Sequence, residues 1–242
     1  MEKQINGKNL DRFAYVNDKI VTKPIRGIVV EFYGLGCLDM HWEETETGRY
    51  YAERGILFFM PYTNPWSWMN RQTVAFVDEI VDVLCAKFDL PETVPVISTG
   101  GSMGGLAALV YTKEAKRPPV GCIANCPVCD LPFHYTERPD LPRTLYSAFY
   151  EADGSLEEAL ATASPLHLAE KMPAVTYRIF CCEEDKSVDP AAHSKRFAAE
   201  MEKYGKHVTL CSVPQRGHCD LPGTVWNEFL GTAVRMIEEN VR

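Results

Sequence analysis

The run Gly100-Gly101-Ser102-Met103-Gly104 constrains this chain more than any other stretch, because it has the form Gly-x-Ser-x-Gly and joins a β-type segment to a helical one. Residues 93–99 (TVPVIST) before it are β-branched and apolar, and Leu106, Leu109 and Val110 after it recur at helical spacing. The flanking glycines permit a tight, strained turn that lifts the serine hydroxyl clear of the sheet edge. Ser102 is therefore the candidate nucleophile.

The same alternation of strand and helix runs along the rest of the chain. Residues 12–23 (RFAYVNDKIVTK) read as a hairpin turning at Asn17-Asp18, and residues 27–32 (GIVVEF) and 55–60 as buried strands. Val74, Val77, Val81, Leu84 and Phe88 then step by three and four, which is the apolar stripe of a helix. Further strands are expected at 120–124, 174–182 and 208–213, and helices at 191–204 and 225–237. Such an order predicts an α/β fold, a doubly wound and mostly parallel sheet with helices on both faces, whose ligands bind at the carboxyl ends of the strands.

Between the strands at 120–124 and 174–182 the rhythm breaks. The intervening segment opens turn-rich (CPVCDLPFHYTERPDLP) and continues into two short helical pieces, the second headed by Ser155 and Glu158 at capping-box spacing. Long structureless loops are uncommon inside a compact domain, so residues 126–163 read as a small helical cap over the site. Phe133, Tyr135, Tyr146, Phe149 and Tyr150 would give that cap an aromatic underside, unless they serve only to pack it onto the sheet.

With 242 residues and 46% hydrophobic content, one globular domain spanning residues 1–242 is expected. No apolar run approaches the roughly 18 residues of a membrane span, and the polar start MEKQINGKNLDR lacks the apolar core of an export signal, which points to a soluble, cytoplasmic protein without membrane partners. A net charge of −8 without clustered Lys and Arg argues against nucleic acid as a partner. Of nine cysteines, an odd number with several in apolar strand-like segments, most are expected to be reduced core residues.

A serine hydroxyl attacks only when a base takes its proton, usually a histidine oriented by a carboxylate. Of six histidines, His207 begins a strand at the wrong edge of the sheet, His193 and His167 lie in helical stretches, His41 in an early loop and His134 in the cap segment. His218 follows Gly217 just beyond the strand at 208–213, hence at the carboxyl edge where Ser102 emerges. The acid should leave the neighbouring strand at the same edge, where Glu183, Glu184, Asp185 and Asp189 crowd together. Asp189 before Pro190 reads as a helix cap, so Asp185 is preferred and Glu184 is second.

The order Ser, Asp, His, with the serine in a strand-turn-helix elbow, resembles the α/β-hydrolase family. Ala163-Ser164-Pro165-Leu166, Glu184-Asp185-Lys186-Ser187-Val188 and Gly217-His218 resemble the carboxyl half of small esterases and of prolyl-oligopeptidase-type hydrolase domains. The resemblance runs from about residue 24 onward and implies an oxyanion hole built from the Met103 N–H and an amide of the turn after the first buried strand. Where the family usually carries His-Gly, this chain has Tyr33-Gly34-Leu35-Gly36, so Leu35 is the first choice of donor and Gly36 the second. Tyr33, Trp66 and Trp68 are expected to border the substrate cleft.

The expected activity is hydrolysis of short-acyl carboxylic esters, small-molecule substrates, through an acyl-enzyme. A peptidase acting on short peptides and a ligand-binding protein that kept the fold are the alternatives. No metal and no organic cofactor is needed for such acyl transfer. Cys122-x3-Cys126-x2-Cys129 has the spacing of a four-iron cluster motif, but Cys122 falls within an apolar strand that would turn it into the core, and no barrel-like repeat accompanies the trio.

Overall fold

In the computed structural model, which describes residues 5–241, the apolar runs become strands β1 (Ala14–Val16), β2 (Gly27–Phe32), β3 (Ile56–Pro61), β4 (Val96–Gly101), β5 (Gly121–Asn125), β6 (Thr176–Cys182) and β7 (Val208–Val213). They pair side by side in the order β1-β3-β2-β4-β5-β6-β7, with β1 antiparallel to β3 and every other pairing parallel. The register sets Phe32 of β2 against Gly100 of β4, and Gly101 of β4 against Asn125 of β5. The carboxyl ends of the three central strands thus finish level, where ligands bind in sheets of this type.

Helices α1 (Glu46–Ala52), α2 (Arg71–Lys87), α3 (Met103–Glu114), α8 (Arg196–Lys203) and α9 (Gly223–Asn240) clothe the sheet. Because successive side chains of a strand point to opposite faces, Ile28, Val30 and Phe32 join one apolar core with α2, α3 and α8, while Val29 joins another with α1 and α9. This is the doubly wound α/β arrangement read from the sequence. No helix among the described residues is long and apolar enough to cross a membrane.

The hairpin expected at residues 12–23 does not form. The buried Asn17 side chain donates through Nδ2 to the carbonyls of Gly48 (2.9 Å) and Ile56 (3.1 Å) and accepts the Phe58 N–H (2.9 Å). Asn17 is thus bound to the β3 region rather than shaping a turn between two local strands, and β1 pairs with β3 instead.

Between β5 and β6 lie α4 (Leu131–Glu137), α5 (Leu141–Phe149), α6 (Leu156–Thr162) and the short α7 (Pro165–Leu168). The capping box forms, with Ser155 accepting from the Glu158 N–H and Glu158 from the Ser155 N–H. The inserted helices dock beside α2: Asn70 Nδ2 donates to the Ala148 carbonyl at 3.0 Å and Trp68 Nε1 to Thr144 Oγ1 at 3.1 Å. Phe149 packs into the core, whereas Tyr146 and Tyr150 are exposed. A cavity of about 700 Å³ separates α2 from α5 and α6, lined by Met69, Asn70, Val74, Phe149 and Tyr150 among others, and Ser102, Asp185 and His218 are not among its walls.

Candidate active site

Ser102 sits between β4 and α3 with φ 59° and ψ −122°, a strained conformation for a residue with a Cβ. The glycines make the turn possible: a Cβ on Gly104 would meet the Tyr33 carbonyl oxygen at 2.9 Å and the Phe32 carbonyl still closer. The Ser102 N–H donates to the Asn125 carbonyl at 2.9 Å, and the Ser102 carbonyl accepts from Leu106 at 3.1 Å. Met103 is the first helical residue, so its N–H has no acceptor within the helix.

The turn after β2 lies against this elbow, since a Cβ on Gly34 would be 4.0 Å from the Gly101 carbonyl oxygen. Its amides are not equivalent. The Gly36 N–H donates to the Pro65 carbonyl at 3.0 Å, so Gly36, the second-choice oxyanion donor, has its proton already engaged. The Leu35 N–H has no acceptor among the described residues.

His218 lies beyond β7, and its Nδ1 is 2.7 Å from Asp185 Oδ2, beyond β6. The second Asp185 oxygen accepts the N–H groups of Ser187 (2.8 Å) and Val188 (3.0 Å). Burial works to raise the Asp185 pKa, but the bonds from His218, Val188 and Ser187 outweigh it and hold the carboxyl below the ordinary aspartate value. The carboxylate is 1% exposed, while the imidazole is 27% exposed. Asp189 accepts the Ala191 N–H at 2.9 Å, a capping bond, and Glu183 and Glu184 are exposed.

Asn125, at the end of β5, joins the elbow to the histidine loop. Its Nδ2 donates to the Cys219 carbonyl at 3.2 Å, and its carbonyl accepts both the Ser102 N–H and the Cys219 thiol, the latter at 3.5 Å. Nothing in the local sequence marks Asn125 for this, because the role arises from the pairing of β4 with β5. No hydrogen bond joins Ser102 Oγ to His218 Nε2 among the described residues; Nε2 faces Cys219 Sγ at 3.8 Å.

The cysteine trio is not brought together. Cys122 and Cys129 belong to the core on one face of the sheet, whereas Cys126 faces the other. All nine cysteines are free thiols. Cys126 instead meets Cys219, both with left-handed backbones (φ 45° and 57°), and its sulfur accepts the Cys182 N–H at 3.4 Å. The neighbouring Cys219 side chain draws Cys126 below the ordinary thiol range against the effect of burial, and the same contact, with burial, pushes Cys219 up.

The two tryptophans part company. Trp68, placed at the cleft from the sequence, is fully buried with φ 47° and packs edge-on against His134 beneath the inserted helices, so it is a packing residue and not a cleft wall. Trp66 is 46% exposed. Tyr33 stacks on His41, and its hydroxyl is buried without a partner.

A second polar cluster was missed from the sequence. Glu137 Oε2 lies 2.5 Å from His134 Nδ1 and 2.9 Å from His193 Nε2. His193 Nδ1 accepts the N–H groups of Cys129 (3.1 Å) and Asp130 (3.2 Å), which places its proton on Nε2. The three-residue spacing of His134 and Glu137 on one helix was the available signal.

The sequence profile of the prolyl oligopeptidase family matches residues 72–229. Curated proteins give no match in sequence. Among solved structures, a puromycin-hydrolysing peptidase of Mycobacterium tuberculosis is similar at TM-score 0.73 and 16% identity, over 90% of this chain and 35% of that one. This chain therefore spans about a third of that peptidase. An S-formylglutathione hydrolase of Agrobacterium tumefaciens is similar at TM-score 0.69 and 17% identity, over 95% of this chain and 89% of that one. Thermogutta terrifontis esterase 2 is similar at TM-score 0.62 and 19% identity, over 93% and 88% respectively. At these identities the likeness is one of fold.

Proposed function

This chain belongs to the prolyl oligopeptidase family, and from that premise we propose that it is a serine hydrolase cleaving small carboxylic esters through an acyl-enzyme on Ser102. The observation that carries the reading is the 2.7 Å bond between Asp185 and His218 at the strand edge where the strained Ser102 elbow emerges. Asp185 holds the proton of His218 on Nδ1, so the Nε2 lone pair is the one available to take the Ser102 proton. Catalytic contacts of this kind tighten when substrate engages, and Ser102 Oγ and His218 Nε2 have that step to make.

In the proposed sequence, Ser102 Oγ attacks the ester carbonyl while His218 takes its proton. The resulting oxyanion is held by the N–H groups of Met103 and Leu35. The imidazolium then gives its proton to the leaving alcohol, and water repeats the cycle on the acyl-enzyme. Ester over amide is favoured by the character of the segments that leave the strand edge. Leu38, Met40 and Trp42 after β2 and Trp66 after β3 are exposed apolar side chains, suited to an uncharged substrate rather than to a charged peptide terminus. The family match supports hydrolysis of a short peptide bond as the second reading.

We place the inserted helices as a cap that limits acyl length. The test is a series of p-nitrophenyl esters set beside aminoacyl-anilides. The ester reading expects kcat/KM to peak at about two to four acyl carbons, because a methylene with no room costs strain instead of adding its usual ~0.8 kcal/mol. Rates climbing through octanoyl and decanoyl esters would remove the short-acyl reading, and anilides outrunning every ester would replace it by the peptidase.

A further inference from the structure

The base of the proposed triad stands in a second constellation that ester hydrolysis does not use. Cys126 Sγ, Cys219 Sγ and a ring nitrogen of His218 all lie within 4.8 Å of one another, with Cys219 Sγ 3.8 Å from Nε2. Tetrahedral bonds of about 2.3 Å to sulfur and about 2.0 Å to nitrogen set neighbouring ligand atoms roughly 3.5–3.8 Å apart, so small side-chain adjustments would complete the set. We propose that Cys126, Cys219 and His218 form a binding site for a soft divalent cation of the zinc type, and that its occupation switches hydrolysis off by taking the lone pair of the triad base.

Three features beyond proximity point to this. The donor set is two sulfurs and one imidazole, with no oxygen that would suit magnesium or calcium. His218 is already oriented for the task, because the Asp185 carboxylate holds its Nδ1 proton and leaves Nε2 to the cation, the arrangement that steers histidine ligands in zinc sites. The two cysteines come from loops after different strands, and each reaches the common point through a left-handed backbone that no glycine relieves.

Access is open on one side. His218 is partly exposed and Cys219 is half-buried, whereas Cys126 forms the floor of the site. On binding, the two thiols release their protons to solvent and the imidazole gives its Nε2 pair to the metal, so no oxidant or other reactant is required. Three protein ligands leave a fourth position for water.

The inhibitory consequence rests on the reading of His218 as base, while the binding itself does not. Both are tested by titrating the purified, chelator-treated protein with Co2+ as a spectroscopic probe and with Zn2+ in competition, alongside ester hydrolysis. One equivalent of Co2+ should give a sulfur-to-cobalt charge-transfer band and tetrahedral visible bands, and one equivalent of Zn2+ should abolish both the bands and hydrolysis. Cys126→Ser should hydrolyse ester at the wild-type rate; Cys126→Ser and, separately, Cys219→Ser, each compared with its own metal-free rate, should weaken Zn2+ binding at least tenfold and escape Zn2+ inhibition to the same extent. Ser102→Ala should lose hydrolysis but keep the bands, which separates failure of the hydrolase reading from failure of this one. Absence of thiolate bands in the wild type, or unchanged Zn2+ affinity in both cysteine variants, would overturn the site. Zn2+ that binds with the expected bands yet leaves hydrolysis untouched would overturn its inhibitory role.

Discussion

Asn125 and Cys219 are bonded in both directions: Asn125 Nδ2 donates to the Cys219 carbonyl at 3.2 Å, and the Asn125 carbonyl accepts the Cys219 thiol at 3.5 Å. The same carbonyl accepts the Ser102 N–H at 2.9 Å. One residue at the end of β5 therefore sets the spacing between the proposed nucleophile and the loop that carries its base. Asn125→Ala removes the side-chain bond and keeps the carbonyl. It should cost about 1 kcal/mol of stability in urea unfolding, and about tenfold in kcat through looser placement of His218, with KM little changed. Unchanged kcat would mean that the loop is positioned without Asn125.

The two aspartates after β6 should behave oppositely. Asp185→Asn keeps the shape but removes the charge and offers His218 the wrong tautomeric partner, so kcat should fall by roughly 10⁴-fold with the fold intact. Asp189→Asn should have little effect, because asparagine also caps helices. Steady-state kinetics on both variants decides it, and a greater loss in Asp189→Asn would exchange the two roles.

Trp68 and Trp66 should separate stability from binding. Trp68→Ala empties a fully buried site that joins the inserted helices to the core, at about 3–5 kcal/mol by thermal or urea unfolding. Trp66→Ala should leave the melting temperature nearly unchanged and raise KM for aromatic esters. A stable Trp68→Ala variant with a raised KM would restore Trp68 to the cleft.

Stability should decline in mild acid through His134. Burial pushes its imidazole from the ordinary 6.5 down to about 4, partly offset by its bond to Glu137, and the unfolded chain takes up the proton first. The unfolded state therefore binds more protons between these values. The contribution is complete above pH 6.5 and is lost as pH falls toward 4, by up to about 3 kcal/mol. His134→Gln should flatten the difference in urea-unfolding free energy between pH 7 and pH 4.5, and equal slopes in both proteins would contradict the assignment.

The sheet was legible because its strands are short continuous apolar runs and its helices carry stripes, and the elbow because Gly-x-Ser-x-Gly demands a strand before it and a helix after it. The meeting of His218 with Asp185 could be anticipated from their places after successive strands, since a parallel sheet brings such ends to one edge. Legibility failed where a side chain's partner is distant in sequence. Asn17 reads as a turn residue, yet its amide is spent on Gly48, Ile56 and Phe58. Trp68 follows a strand at the right edge, but a left-handed backbone turns it under the inserted helices. Leu35 and Gly36 are neighbours in one turn, and only the bond to the Pro65 carbonyl distinguishes them. The meeting of Cys126 with Cys219 depends on the order of strands and has no local signature.

The most direct measurement of the central claim is covalent labelling by a fluorophosphonate probe, located by mass spectrometry of the digested protein. The proposed mechanism predicts stoichiometric label on Ser102 alone, strong suppression in His218→Ala where the proton acceptor is gone, and none in Ser102→Ala. Equal labelling of Ser102→Ala, or label on another residue of the wild type, would contradict it.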